Sequence, residues 1–432
     1  MRVCMFVYNP LTNDARVFRE AAALVERGHA VDVIGRHNRG LEQTEERDGF
    51  TIHRVRPDPV HKRLRRLATA ALDRVGFKRV AAGLRRRAMG PPDGGPPQKR
   101  RSLLYRELML RDWHRRALRL AKGLGPADVY HAHDLNTLPL AARAARAADA
   151  LLVYDSHEIY LERWQVTAAE RRIWGPVERR LIGRADRMIT VSERFADEFV
   201  RRYGIERPLV LLNCPDLPGS LPAGAAERLR QRAELGGSDE PIVLYQGMIQ
   251  PERGLEDLVE AAKSLDRGVV VMMGWGVSTS RLRQSIDAAG LGDRVRLVDP
   301  VPLGELFSYT SGATIGVAPT EWKGMSQAYT VQNKIFEYMG AGLPIVTTRL
   351  PGTERIIEDH DVGLLCDPGD PPALAAAINR LLADRELYER LRANAIAASK
   401  LFNWQRERTK LLDLYEQLGA EAEAAPVAGP GV

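Results

Sequence analysis

The chain has 432 residues, of which 44% are hydrophobic and 28% charged, a length that points to two or three globular domains. Mean hydropathy is −0.28, no apolar run approaches the ~20 residues that span a bilayer, and Cys4, Cys214 and Cys366 are too widely spaced for a metal motif or disulfide framework, which suits a reducing cytosol. The formal charge of +7 is local: residues 61–101 hold 13 Lys/Arg against 2 Asp/Glu, a balance of +11 that leaves about −4 for the rest, so the folded halves lack the basic balance of a nucleic-acid binder.

In chain order, Val3 to Tyr8 reads as a first strand and not a signal peptide, because the apolar run is short and no small-residue cleavage site follows. Arg16 to Arg27 reads as a helix and Ala30 to Ile34 as the next strand. His61 to Met89 carries an apolar stripe, Leu64, Leu67, Ala71, Leu72 and Val75 continued by Phe77, Val80 and Leu84, with Lys and Arg on its other face. Such a stretch fits an anionic membrane surface; it equally fits a clamp for an acidic acceptor or a solvated insertion packed on its own domain. Gly90 to Pro97 breaks any helix and predicts a mobile loop. Strands are expected at Val129 to His131, Leu151 to Tyr154, Met188 to Val191 and Leu209 to Leu212. Asn213 to Glu240 is rich in Pro and Gly and reads as a linker. A second series follows at Ile242 to Tyr245, Val269 to Met273, Val295 to Leu297, Thr314 to Ala318, Leu343 to Thr347 and Gly363 to Cys366. Trp404 to Leu418 predicts a last helix, and the Ala, Glu, Pro and Gly beyond it predict a disordered tail. The alternation of strands and helices is that of parallel βαβ units, and such sheets take ligands at the carboxyl ends of their strands.

Asn333 to Val346 is the most informative stretch. Ile335, Phe336 and Met339 recur at helical spacing and predict a core face, Glu337 falls off that stripe, and Gly340, Gly342 and Pro344 end the helix before a buried strand. This segment resembles the donor-nucleotide helix of retaining glycosyltransferases of the GT-B fold, glycosyltransferase family 4. The resemblance implies that Glu337 accepts hydrogen bonds from both ribose hydroxyls of a sugar nucleotide, which a carboxylate can do. Eight residues earlier the family has a second Glu, on the donor sugar; Tyr329 stands there. A variant branch carries Asn-Lys before the helix, as Asn333 and Lys334 do, which makes Lys334 a charge partner for the donor or for Glu337. The segment Tyr245 to Glu256 is similar to the family's diphosphate loop, with Gln246 and Gly247 at its start. Met248 replaces the family's Arg and Arg253 its Lys, and Arg253 can still fork onto phosphate oxygens. The loop 319–327 matches a region that implies backbone contacts from Gly324 and Met325 to donor phosphate and sugar; its alternative is an ordinary polar connection.

The same resemblance implies the N-terminal assignments. Val153 to Glu158 looks like the strand end that carries the active-site His, which makes His157 the catalytic candidate, orienting sugar or stabilising charge without acting as a nucleophile; the alternative is a loop His that caps the next helix. Glu158 either contacts acceptor or starts that helix. Asn13 and Arg16 lie in the matched first loop and helix, and His133 and Asp134 at the matched strand end, as acceptor or cleft contacts. His131 and His133 have a spacing that can share a metal, but no third ligand is evident, so no metal and no cofactor are expected. The implied fold is α/β: two Rossmann-like doubly wound domains facing a central cleft, an acceptor domain over 1–212 with a basic insertion at 56–101, a linker at 213–240, a nucleotide-sugar domain over 241–400, a helix over 401–418 crossing back to the first domain, and a tail over 419–432. The implied activity is sugar transfer with retention from a nucleotide-sugar donor to a saccharide, lipid-linked or small-molecule acceptor, in the cytoplasm or at the membrane surface. The rival readings are a nucleotide-sugar epimerase of the same fold and a sugar-nucleotide-binding protein without catalysis.

If the basic stretch attaches to lipid, the attraction fades as the Debye length shrinks from roughly 30 Å at 0.01 M salt to 3 Å at 1 M. Deleting residues 61–101 is expected to abolish co-sedimentation with anionic vesicles at low salt and to leave donor binding intact. Absence of binding by the full chain to anionic vesicles at low salt would favour the solvated or acceptor-facing insertion.

Overall fold

The computed structural model describes residues 1–58, 102–217 and 224–424. The stripe at 61–101 and the loop at 90–97 therefore lie outside the described residues, as does the chain beyond 424. Two compact units are present, one of residues 1–156, 167–188 and 418–432 and another of residues 157–166 and 189–417.

The first sheet holds β1 (Arg2–Phe6), β2 (Ala30–Arg36), β3 (Thr44–Arg47), β4 (Phe50–Val55), β5 (Val129–His133), β6 (Leu151–Ser156), β7 (Arg187–Thr190) and β8 (Leu209–Val210). Their order is β3-β4-β2-β1-β5-β6-β7-β8. β1 lies between β2 and β5, with Val3 opposite Val31 and Val129, and both pairings are parallel. All five residues of β5 are buried, which explains its near-continuous apolar and aromatic reading. The hairpin β3–β4 is antiparallel and was not among the expected strands. Its turn is Asp48-Gly49, both with positive φ (48° and 82°), and an Asp-Gly pair is the sequence signal for such a two-residue turn.

The second sheet holds β9 (Ile242–Gln246), β10 (Val269–Met273), β11 (Val295–Val298), β12 (Ile315–Ala318), β13 (Ile345–Thr348) and β14 (Gly363–Cys366). Its order is β11-β10-β9-β12-β13-β14 and every pairing is parallel. The chain runs outward from β9 to β11, then returns to the other side of β9, so the switch point lies between β9 and β12. Ligands of open α/β sheets bind in the crevice at such a point. Pairing there is short, Val243 with Ile315 and Leu244 with Gly316. Past it the Tyr338 hydroxyl stands between the strands, its proton shared by the carbonyls of Leu244 (2.9 Å) and Val317 (3.1 Å), while it accepts from the Gln246 N–H (3.2 Å). Gly316 makes room for that ring, since a Cβ there would come within 2.3 Å of it.

Two expectations meet a different outcome, and a third does so in part. The segment 213–240 contains a helix, Ala225–Arg232, in which Leu229 is buried. Residues 189–212 group with the second unit, where the helix Glu193–Tyr203 packs: the Ser192 hydroxyl donates to the Tyr329 carbonyl (2.8 Å) and Arg202 pairs with Glu162 (3.0 Å); the strand pairing of 189–190 with 209–210 nonetheless keeps them in the first sheet, as the 1–212 boundary expects. The last helix runs from Trp404 to Ala424, so residues 419–424 are helical and not disordered. Ala and Glu favour helix, Gly419 lies against the Met1 side chain, and Glu421 pairs with Arg187.

Tyr338→Phe would leave the buried Gln246 N–H and the facing carbonyls without this partner, at about 1–3 kcal/mol for an unsatisfied buried group. The expected outcome is a lower denaturant midpoint with secondary structure retained by circular dichroism. An unchanged midpoint would mean that the hydroxyl is not the link between β9 and β12.

Candidate functional site

Within the second unit a cavity of about 440 Å³ opens at the carboxyl ends of β9 and β10, beside the start of the helix Asn333–Gly340. Gln246, Gly247, Arg253, Lys334 and Glu337 all line it; five of the seven donor-binding residues expected from sequence come together here. The side chain of Gln246 sits at the end of β9 and joins two elements: its Oε1 accepts from the Thr310 hydroxyl (2.7 Å) and its Nε2 donates to Glu337. That bond orients the half-buried carboxylate of Glu337 at the cavity wall.

Two cations share the cavity with this one carboxylate. Lys334 is buried, its Nζ 3.4 Å from Gln332 Oε1 and 4.4 Å from the centre of the Tyr245 ring. Burial, reinforced by the nearby Arg253 charge and opposed by Glu337, pushes its pKa down to about 7. Arg253 closes the short turn Pro251–Arg253 after β9, and its Nε is buried with no hydrogen-bond partner among the described residues. A site with two cations, one of them with an unused buried donor, is built to receive anionic oxygens. Met248, where the resembled family has an Arg, is 45% exposed at the same cavity.

The other expected site residues lie elsewhere. Gly324 precedes the short helix Met325–Tyr329 and does not line the cavity. The space beside it is taken by the protein's own backbone, since a Cβ there would lie 2.9 Å from the Glu162 carbonyl oxygen, and the Met325 sulfur lies 3.7 Å from Arg202 Nη2. His157 sits in the bend after β6 and is half-buried, and Glu158 is paired with Arg163 at 2.8 Å. Asn13 is exposed in the loop before the first helix.

Arg16 and His133 turn inward in the first unit, away from the role of acceptor contacts. The Arg16 guanidinium forks onto Asp155 (3.0 and 2.9 Å) and pairs with Glu20 at 2.9 Å. His133 Nδ1 lies 3.4 Å from Asp155, and the rings of His131 and His133 stack at 4.3 Å. The reason is that β5 is covered on both faces, so its side chains must find partners inside. Asp134 follows in left-handed backbone (φ 65°), where its carbonyl accepts from Thr137 N at 3.1 Å. Glu20, His131, His133 and Asp155 each offer a ligand atom within 4.8 Å of the others, a donor set that divalent metals accept. In this arrangement the guanidinium already supplies a positive charge to both carboxylates. Sequence reasoning missed Glu20 and Asp155 because only the tertiary fold brings them to the His pair.

A family model described as glycosyl transferase 4-like domain matches residues 14–215, and one described as glycosyl transferases group 1 matches residues 240–384. The chain is 26% identical over 307 residues to D-inositol 3-phosphate glycosyltransferase of Xylanimonas cellulosilytica, covering 67% of this chain and 72% of that one. It is 29% identical over 272 residues to alpha-D-kanosaminyltransferase of Streptomyces kanamyceticus, covering 60% and 68%. Among solved structures it superposes on sucrose-phosphate synthase from Thermosynechococcus elongatus with a TM-score of 0.73 at 21% identity, over 98% of this chain and 100% of that one. Anabaena HepE in complex with UDP gives 0.70 at 17% identity, over 96% and 100%. At such identities the structural likeness bears on the fold. No described helix is long and apolar enough to cross a membrane.

The depressed Lys334 pKa has a stability consequence. Below pH 7 the group is charged in folded and unfolded chains alike. Between about 7 and the ordinary 10.5 the unfolded chain keeps a proton that the folded one has released, so stability rises with pH across that window. Lys334→Met is expected to lack this rise. Denaturant midpoints of both proteins at about pH 6.5 and about pH 9 test it; parallel responses would show that the Lys334 proton is not lost on folding.

Proposed function

The chain belongs to glycosyltransferase family 4, with the GT-B fold, and on that footing we propose that it moves a sugar, with retention at the anomeric carbon, from a nucleoside diphosphate sugar to a saccharide, lipid-linked or small-molecule acceptor. The observation that carries the proposal is the cavity at the β9–β12 switch point, where the Glu337 carboxylate stands with Lys334 and Arg253, whose Nε is buried without a hydrogen-bond partner among the described residues. Glu337 holds the ribose hydroxyls. Arg253 and Lys334 lie along the diphosphate, and Lys334 supplies the charge that Met248 lacks. A diphosphate beside the buried ammonium favours its charged form, so binding and protonation of Lys334 support each other.

In the transfer the bond between the anomeric carbon and the diphosphate oxygen breaks and a bond from the acceptor oxygen to that carbon forms on the same face. The acceptor's proton passes to the departing diphosphate, which leaves as nucleoside diphosphate. The two cations stabilise the charge that develops on that leaving group, so the reading requires no metal. His157 orients the sugar. The relatives' names, an inositol phosphate glycosyltransferase and a kanosaminyltransferase, favour small polar acceptors as first trials, and the UDP in the HepE complex favours a UDP sugar as first donor. Attachment to an anionic membrane through residues 61–101 rests on charge and pattern alone.

The deciding experiment incubates the protein with UDP, GDP, ADP and TDP sugars, with and without acceptors, and follows nucleoside diphosphate release. Release that depends on acceptor supports transfer; conversion of the donor without release would favour an epimerase. Glu337→Ala is expected to weaken nucleotide-sugar binding by about 1.5–3 kcal/mol with the fold retained; unchanged affinity in calorimetry would remove Glu337 from the site. Turnover is expected to fall in the order wild type, Arg253→Lys, Arg253→Ala, because Lys keeps the charge and loses the fork. Equal turnover in all three would mean that other groups meet the phosphate charge.

A further inference from the structure

Trp275 is 61% exposed at the mouth of the same cavity, an unusual place for the largest apolar side chain unless something covers it. Its backbone is not loose. Gly247 N donates to the Met273 carbonyl (3.0 Å) and Ile249 N to the Trp275 carbonyl (2.9 Å), so the β9–β10 ladder continues past the strand ends. On the other side Gly274 N donates to the Val298 carbonyl at 3.0 Å. Both flanking residues must be glycine: a Cβ on Gly274 would lie 1.8 Å from the Gly247 oxygen, and one on Gly276 would lie 2.0 Å from the Ile249 oxygen. The frame is therefore rigid while the indole it carries is open to solvent.

The register says what stands beside that indole. Met273 is opposite Gln246 and Val298; the Ile249 N–H to Trp275 carbonyl bond carries the first pairing on and sets Trp275 beside Met248, whereas Gly276 N turns to Thr279 Oγ1 and Pro300 follows two residues after Val298. Met248 and Pro300 line the cavity with Trp275, as do Val301 and Leu306. Glu337 is bound to Gln246 at the end of β9. Glu337 and this apolar shelf therefore line one and the same cavity.

We propose that Trp275 is the stacking platform for the nucleobase of the donor, with Met248 and Pro300 as its flanks. This rests on the nucleotide-sugar reading of the cavity. A base laid on the indole covers apolar surface that is otherwise wet, and stacking tolerates any planar base, so the selection among bases falls to the edges of the shelf.

The test is titration of the full chain with UDP, GDP, ADP and TDP, followed by calorimetry and by tryptophan fluorescence. For the tightest of these, Trp275→Ala is expected to weaken binding about 5- to 150-fold, the range of a lost base–aromatic stack, Trp275→Phe is expected to recover most of it, and the quench seen with wild type is expected to vanish in Trp275→Phe. Inorganic pyrophosphate, which has no base, is expected to bind wild type and Trp275→Ala alike. Equal nucleoside diphosphate affinity in wild type and Trp275→Ala would overturn the platform. So would a loss confined to the nucleotide sugar and absent with the nucleoside diphosphate, since the indole would then face the sugar. Failure of wild type to bind any of the four would instead strike the nucleotide-sugar reading beneath it. The side chain is exposed, so the alanine variant is expected to fold, and its circular dichroism checks that.

Discussion

The hydroxyl of Tyr338, set between the carbonyls of Leu244 and Val317 and under the N–H of Gln246, is the contact on which the candidate site depends. Parallel strands that part at a switch point leave backbone groups without partners, and a buried unsatisfied group is costly. The phenol meets that need from the helix Asn333–Gly340, and so locks the helix to the sheet. Glu337 is the residue before it and Lys334 lies one turn earlier, so their positions relative to the end of β9 follow from this one anchor. Gly316 is the sequence's accommodation of the same ring.

Charge is distributed around that anchor in a way that leaves work for a ligand. Gln246 ties down Glu337 from one side and is itself held by Thr310, which fixes the carboxylate without neutralising it. Lys334 is kept near the edge of ionisation by burial and by Arg253. A basic group buried at a pocket wall, as Lys334 is, attracts an anion more strongly than an exposed cation would. Met248 stands where an Arg was expected, and Lys334 reaches the same cavity from the helix Asn333–Gly340.

The first unit shows the opposite solution. Arg16, Glu20 and Asp155 are all buried there, and their charges are met by each other. Breaking one partner from such a group leaves an uncompensated charge in a low dielectric, which is far more costly than the intact group is favourable. The cluster joins the first helix to β5 and β6 and holds the His pair beside Asp155. Its residue types are those of a ligand-binding site, and its connectivity is that of a buried polar core.

The parallel architecture was legible in the chain because buried parallel strands are continuous apolar runs, as in Ile242 to Tyr245 and Val269 to Met273, separated by helices of period 3.6. The helix at 333–340 was legible from its spacing, and the resemblance of two motifs grouped Arg253, Lys334 and Glu337, which line one cavity. The hairpin at 44–55 was signalled by Asp48-Gly49 alone, since its strands are half polar. What local pattern could not carry was direction and partnership. Arg16 and His133 look like surface contacts in sequence, yet they face Asp155, more than a hundred positions from Arg16, because β5 is covered on both sides. Gly324 looks like a ligand's place, yet the backbone of 162–164 fills it. Trp275 is one aromatic among six tryptophans until the fold sets it beside Met248 at a cavity that Pro300 also lines. Sequence by itself determined which segments form strands and helices, because periodicity and turn chemistry act between near neighbours. Tertiary structure alone decided which side chains are spent on each other and which are left facing the cavity, because burial and pairing are set by residues that are distant along the chain.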